Sequence, residues 1–213
     1  MRRKRTLFMK IYIATQNPKK LKEIKAMLDL PATEIASALD VPGLSVVEET
    51  GVTFHENAIL KAVNLARLTN RWSLADDSGL EVEALNGAPG IPSARYAGEP
   101  VKYAANNEKR LAALLGETNR KARFRCVLAL SSPDGEARCV EGICEGLITE
   151  AGRGRKGFGY DPLFQPDGYT QTFGEMDSAE KNRISHRARA LAKAKESWAA
   201  FLARNPRNWS ELT

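Results

Sequence analysis

The chain has 213 residues, 43% of them hydrophobic, and carries 32 Lys and Arg against 26 Asp and Glu, a formal net charge of +6. That length supports one sizeable core, and no apolar run approaches the roughly 20 residues of a membrane-spanning helix, so no membrane association is expected. Three cysteines, Cys126, Cys139 and Cys144, come without paired Cys or His motifs, which points to packing residues in a reducing cytosol and away from a zinc centre.

Residues 1–8 contain Arg2-Arg3-Lys4-Arg5 and read as a basic N-terminal extension, either a mis-assigned start ahead of Met9-Lys10-Ile11 or a disordered tail. The cluster has no apolar h-region, so neither export nor organelle import is expected and the cytoplasm is the expected location. Part of the positive excess sits in this cluster. The remainder suits a small anionic substrate, and no recognised nucleic-acid motif is present, so nucleic acid is not an expected partner.

Residues 9–213 read as a single domain without repeats or low-complexity stretches. Ile11-Tyr12-Ile13-Ala14 reads as a short strand, followed at once by Thr15-Gln16-Asn17-Pro18-Lys19-Lys20. Asn17 suits an N-cap and Pro18 the first helical position, and Leu21, Ile24, Met27 and Leu28 recur at the spacing of one buried helix face. A helix start favours phosphate oxygens through its unpaired N–H groups and its dipole, and Lys19 and Lys20 add full charges there; two solvated lysines are the plainer reading of the same residues.

Further along, Thr53 and Glu56 form a capping-box pattern opening a helix with Phe54, Ala58, Ala62, Leu65 and Ala66 on its core face. Glu56, Asn57, Lys61 and Asn64 fall on other faces. Glu48 and Glu49 precede that helix in a loop. The apolar run Trp72-Ser73-Leu74-Ala75 predicts a buried strand that ends in Asp76-Asp77-Ser78-Gly79-Leu80. An Asp/Ser/Gly turn accounts for the second stretch on its own. Four acids in two places also offer hard oxygen ligands to Mg²⁺, which is commonly held by one or two carboxylates plus substrate phosphates.

Downstream, Asn106 to Gly116 predicts a short helix carrying Leu111, Leu114 and Leu115. Ala122 to Ser131 predicts a strand alternating Phe124, Cys126, Leu128 and Leu130. Ser132-Pro133-Asp134-Gly135 is a turn signal, and a second strand from Cys139 to Thr149 would complete an antiparallel hairpin. After a Gly-rich basic loop, Gly152 to Gly157, a final helix places Ile184, Ala188, Leu191, Trp198 and Leu202 near one stripe. Phe158-Gly159-Tyr160-Asp161-Pro162 reads as a tight turn, and Ser185-His186-Arg187 as a helix cap and first turn.

Several of these blocks together resemble the inosine/xanthosine triphosphate pyrophosphatase family. The resemblance rests on Thr15 to Lys20 with Glu23, Glu48 to Ala58, Ala75 to Leu80, Gly87 to Tyr96, Gly157 to Phe164 and Ala179 to Arg187, six blocks in family order across nearly the whole chain. Gln16 stands where the family often has Gly. The resemblance implies an α/β fold, an elongated mixed sheet with flanking helices forming two lobes around a central active-site cleft, and a homodimer. It implies hydrolysis of non-standard purine nucleoside triphosphates (ITP, dITP, XTP) to the monophosphate and pyrophosphate with Mg²⁺, which cleanses the nucleotide pool.

Carried over by position, the resemblance implies that Thr15, Gln16, Asn17, Pro18, Lys19 and Lys20 contact the triphosphate and that Asp77 accepts a proton and binds metal. Lys20 would neutralise the leaving pyrophosphate. Glu48 or its neighbour Glu49 would be the second metal ligand, and Ser78 would touch substrate. Phe158, Gly159, Tyr160, Asp161, Lys181, His186 and Arg187 would form the base pocket. There Arg187, His186 and backbone N–H groups near residues 158–161 would donate to a 6-oxo group, and Phe158 or Tyr160 would stack on the base. Two rivals are a salt-sensitive nucleic-acid binder without triphosphate hydrolysis and a related pyrophosphatase acting on pyrimidine or methylated nucleotides.

Overall fold

A computed structural model describes residues 7–28, 33–44, 47–96, 98, 102–203 and 209–211. The elements are β1 (Leu7–Ala14), α1 (Pro18–Met27), β2 (Thr33–Ser37), α2 (Phe54–Thr69), β3 (Trp72–Val82), α3 (Tyr103–Ala113), β4 (Lys121–Ser131), β5 (Ala137–Ile148), β6 (Phe164–Pro166), α4 (Ser178–Ile184), α5 (His186–Ala203) and β7 (Trp209–Glu211). The class is mixed α/β, as expected. The strand order is β2-β1-β3-β4-β5-β6, with β7 paired to β1. β1 runs parallel to β2 and β3 and antiparallel to β7, and β5 runs antiparallel to β6.

Leu7 and Phe8, counted above in the N-terminal extension, are strand residues of β1 opposite Glu211 and Ser210. The rest of that extension, residues 1–6, lies outside the described residues.

The chain divides into two compact units. The first comprises Met1–Asp77, Val127–Val140 and Leu191–Thr213; the second comprises Ser78–Cys126 and Glu141–Ala190. In the first unit β1 buries Ile11 and Ile13, α1 buries Ile24, and α2 buries Phe54, Ala58, Ala62, Leu65 and Ala66. Trp72 meets Phe201 edge-on at 5.1 Å. The second unit is built on Leu80, Val82, Leu114, Phe124, Ile148, Tyr160, Leu163, Phe164 and Phe173.

Several local expectations are revised. β3 does not end at the acids but continues through them to Val82, because hydrogen bonding in the sheet prevails over the local turn preference of Asp-Ser-Gly. β4 alternates only as far as Cys126; from there to Ser131 every residue is buried, the pattern of a strand covered on both faces. Its turn into β5 is the expected one, with Gly135 N donating to Ser132 O at 3.0 Å. Leu114 is buried but Leu115 is 88% exposed. The last helical region breaks at Ser185, and the buried stripe of α5 is Ala190, Leu191, Ala194, Trp198 and Phe201.

Candidate active site

At the first helix, the predicted strand, polar turn and helix are all present. Asn17 caps α1 by accepting from Lys19 N at 2.9 Å and Lys20 N at 3.3 Å, and Pro18 occupies the first turn. The cap corrects one expectation, because those two N–H groups already have an acceptor. An anion at this end would be held by the lysine charges and the helix dipole instead. Thr15 is buried and its Oγ1 accepts from Asn17 N, while Gln16, Pro18 and Lys19 are exposed. Lys20 turns inward, and its Nζ reaches Asp76 Oδ1 at 2.6 Å. The pairing follows from the sheet, since β1 ends at Ala14 opposite Ala75, the residue before Asp76.

Asp77, one residue on, is served by the other helix. Lys61 Nζ donates to Asp77 Oδ1 at 2.6 Å, to Glu49 Oε1 at 2.9 Å and to the Asp76 carbonyl at 3.0 Å. Successive side chains of a strand point to opposite faces, which is why adjacent carboxylates find lysines on different helices. Lys61 lies off the core face of α2, as its spacing predicts, and its side chain is only 15% exposed. Asn57, also off the predicted core face, is fully buried and clamps Gly51 through that residue's N–H and carbonyl. Thr53 caps α2 as predicted, but Glu56 reaches the N–H of Val52 rather than that of Thr53.

The electrostatics of this cluster are unequal. Burial, the strongest influence on Lys61, works to lower its pKa, yet Asp77 and Glu49 together outweigh it and hold the ammonium above its ordinary value. At Asp77 burial is again strongest and pushes the carboxyl above its ordinary value, against the pull of Lys61 and then Lys20. Asp77 Oδ2 is buried and has no hydrogen-bond partner among the described residues. A buried carboxylate oxygen without a donor is costly unless something positive comes to it.

The four acids do not gather into one metal cluster. Among the described residues no group of three or more His, Cys, Asp or Glu side chains is positioned to hold a metal ion. Lysines stand between the acids, with Lys61 bridging Glu49 and Asp77. Glu48 and Glu49 are both exposed, and of the two it is Glu49 that pairs with Lys61, the partner it shares with Asp77. The residues still fit a compact hard cation: Asp77 offers an unsatisfied oxygen, and Asp77 and Glu49 already converge on a single ammonium.

The second unit assembles the other predicted residues. Lys181 Nζ donates to Asp161 Oδ2 at 2.6 Å, and the N–H of Phe158 donates to the same oxygen at 2.6 Å. Gly157, at φ +71°, allows this turn, since a Cβ there would collide with the Asp161 carboxylate. Lys181 also lies 5.0 Å from the Phe158 ring centre. Arg187, 1% exposed, donates from Nη2 to Ser78 Oγ at 3.2 Å. His186 stacks on Phe124 at 4.7 Å, and Ser185 Oγ caps α5 by accepting from Ala188 N.

Two base-pocket expectations are narrowed by this arrangement. Tyr160 belongs to the core: its hydroxyl donates to Ser93 O at 3.0 Å and burial pushes its pKa up to about 12, which leaves half-buried Phe158 as the ring available for stacking. The backbone N–H groups of Phe158 and Asp161 are already used within the turn. A shallow groove lined by Arg138, Cys139, Trp198 and Phe201 on the first unit contains none of these residues.

Comparison with known proteins follows the same residues. The model of the Ham1 family matches residues 11–197. A protein of Desulforamulus reducens named dITP/XTP pyrophosphatase is 50% identical over 190 residues, 88% of this chain and 94% of its own. One of Bacillus subtilis with the same name is 49% identical over 183 residues, 85% of this chain and 92% of its own. The structure of the Staphylococcus aureus Ham1 protein superposes with a TM-score of 0.80 at 42% identity, covering 92% of this chain and 99% of that one.

Proposed function

We propose, from the premise that this chain belongs to the Ham1 family, that it hydrolyses the non-standard purine nucleoside triphosphates ITP, dITP and XTP to monophosphate and pyrophosphate. By that activity it would keep such nucleotides out of DNA and RNA. The observation that carries the proposal is Asp77, a buried carboxylate with one oxygen on Lys61 and the other unsatisfied, with Lys20 one residue away on Asp76. The relatives named dITP/XTP pyrophosphatase support the choice of substrate.

In this reading the triphosphate lies at Thr15 to Lys20, where Lys20 releases Asp76 to neutralise the departing pyrophosphate. Lys61 stays charged and holds Asp77 in place, and Asp77 orients the attacking water at its free Oδ2. With its carboxyl pKa raised, Asp77 is a somewhat better base than an ordinary aspartate. Asp77 with Glu49 would hold Mg²⁺, which when bound supplies charge neutralisation on the phosphates and a water of lowered pKa.

The purine is assigned to Phe158 for stacking and to Arg187, always protonated, as donor to the 6-oxo group. An adenine amino group would face that donor unpaired, a mismatch able to yield discrimination of about 10⁴. The proposal extends to a cytoplasmic homodimer.

The test is purified protein with Mg²⁺ and equal concentrations of ITP, XTP, GTP and ATP, scored for pyrophosphate and orthophosphate. Pyrophosphate from ITP and XTP, abolished by a chelator and far exceeding that from ATP, is the expected result. Orthophosphate, or equal use of ATP, overturns the proposal.

A further inference from the structure

α3 carries no residue of the six sequence blocks, yet it lies along the loop assigned above to the base. Tyr103, Asn107 and Arg110 stand at i, i+4 and i+7, one face of a helix. They meet successive residues of that loop in order. The Tyr103 ring lies 6.2 Å from the Phe158 ring, tilted by 48°. Asn107 Nδ2 donates to Gly159 O at 3.2 Å. The Arg110 guanidinium lies 5.9 Å from the Tyr160 ring centre, and on its other contact 4.4 Å from that of Tyr96.

Two features separate this stripe from ordinary packing. Arg110 is fully buried, none of its three side-chain nitrogens has a hydrogen-bond partner among the described residues, and its guanidinium lies against the rings of Tyr96 and Tyr160. Tyr160, one of the two tyrosines beside this guanidinium, donates its hydroxyl to Ser93 O. Asn107 supplies a side-chain donor to a loop whose glycines, Gly157 and Gly159, both adopt positive φ and so restrain it little by themselves. The amide orientation is fixed by its partner, because exchanging Oδ1 and Nδ2 would set two acceptors against each other.

We propose that α3 sets the base preference of this enzyme and that Asn107 is its positioning residue, holding the Gly159 carbonyl so that the Phe158 ring and its neighbouring peptides keep one arrangement toward the purine. The inference rests on the assignment of the base to this loop under the function proposed above. When the Asn107 donor is lost, the loop relaxes and accommodates purines that the fixed arrangement rejects. The triphosphate end is untouched.

The test uses the full chain with Mg²⁺ and compares wild type with Asn107→Asp, which keeps the shape but replaces the donor by an acceptor, Asn107→Ala, which removes it, and Asn107→Gln, which restores a donor on a longer stem. For Asp and Ala the expected result is a KM for ITP raised about 10-fold, kcat within about 3-fold, and an ITP-over-ATP preference in kcat/KM reduced about 10-fold. Inhibition by IMP should weaken in parallel while inhibition by pyrophosphate is unchanged, and Gln should recover part of the preference.

A purely structural role would lower kcat for both substrates at unchanged KM, and that result overturns the proposal. So does an unchanged preference in variants that melt like wild type. If Asn107→Asp fails to fold, Asn107→Ala together with Tyr103→Leu decides by the same readouts. Wild type that does not release pyrophosphate from ITP refutes the proposed function, and this inference with it; a working wild type with indifferent variants refutes the inference alone.

Discussion

The carboxylate and lysine cluster of the first unit and the loop cluster of the second both set a buried aspartate against a lysine, but they are satisfied to different degrees. In the second, one oxygen of Asp161 takes both Lys181 and the N–H of Phe158. In the first, Asp77 has an oxygen without a donor among the described residues and a carboxyl pushed above its ordinary value by burial. A satisfied cluster holds a shape. An unsatisfied one stores a cost that an arriving cation or a proton relieves, and pKa perturbation of this kind is concentrated where chemistry is done. Under the proposed function, the contrast is what recognition by the second cluster and catalysis by the first would require.

The strongest way to break that contrast is Lys61→Met, which removes the Lys61 donor to Asp77 Oδ1 while keeping the apolar stem. Turnover of ITP should fall by about 10²-fold, as for loss of a charged group acting on the transition state. The same variant tests the titration. An acid whose folded pKa lies above its unfolded value is protonated first in the folded state, so activity that needs the Asp77 carboxylate is lost as pH falls through the raised value. Folding stability, by the same linkage, declines as pH rises through that window. Without Lys61 the pull downward is weakened, so the acid limb of the kcat profile should move to higher pH. An unmoved limb would detach Asp77 from the rate.

Asp161→Ala probes the other side of the contrast. It takes the carboxylate from buried Lys181 and from the Phe158 turn, and unfolding by denaturant should show a loss of about 3 kcal/mol. Because the damage is to shape, the larger kinetic change should be in KM. A smaller sharpening comes from Thr53→Ala, which removes the cap of α2, the helix that carries Lys61. It should cost about 1 kcal/mol by the same measurement and leave kcat nearly unchanged.

The positions the sequence misplaced share a cause. The caps at Asn17 and Thr53, the core face of α2 and the β4–β5 turn were readable because each is decided within a few residues. Periodicity sets Lys61 and Asn57 off the core face of α2 and gives no reason to bury them. Only contact with distant partners, Asp77 for the one and the Gly51 peptide for the other, brings them inside. Asp76-Asp77-Ser78-Gly79 has the composition of a turn, and the neighbouring strands make it a strand. The α3 stripe was invisible for the same reason: Tyr103, Asn107 and Arg110 are ordinary on a helix surface until residues 158–160 are laid against them.

The most direct measurement is ITP turnover by Asp77→Asn with Mg²⁺, in protein shown by its melting transition to be folded. The amide keeps the volume and removes the charge that draws a cation. Here kcat should fall by about 10²-fold or more, with the KM of ITP changing far less. Turnover near that of wild type would contradict the role given to this carboxylate and, with it, the division of labour between the two units.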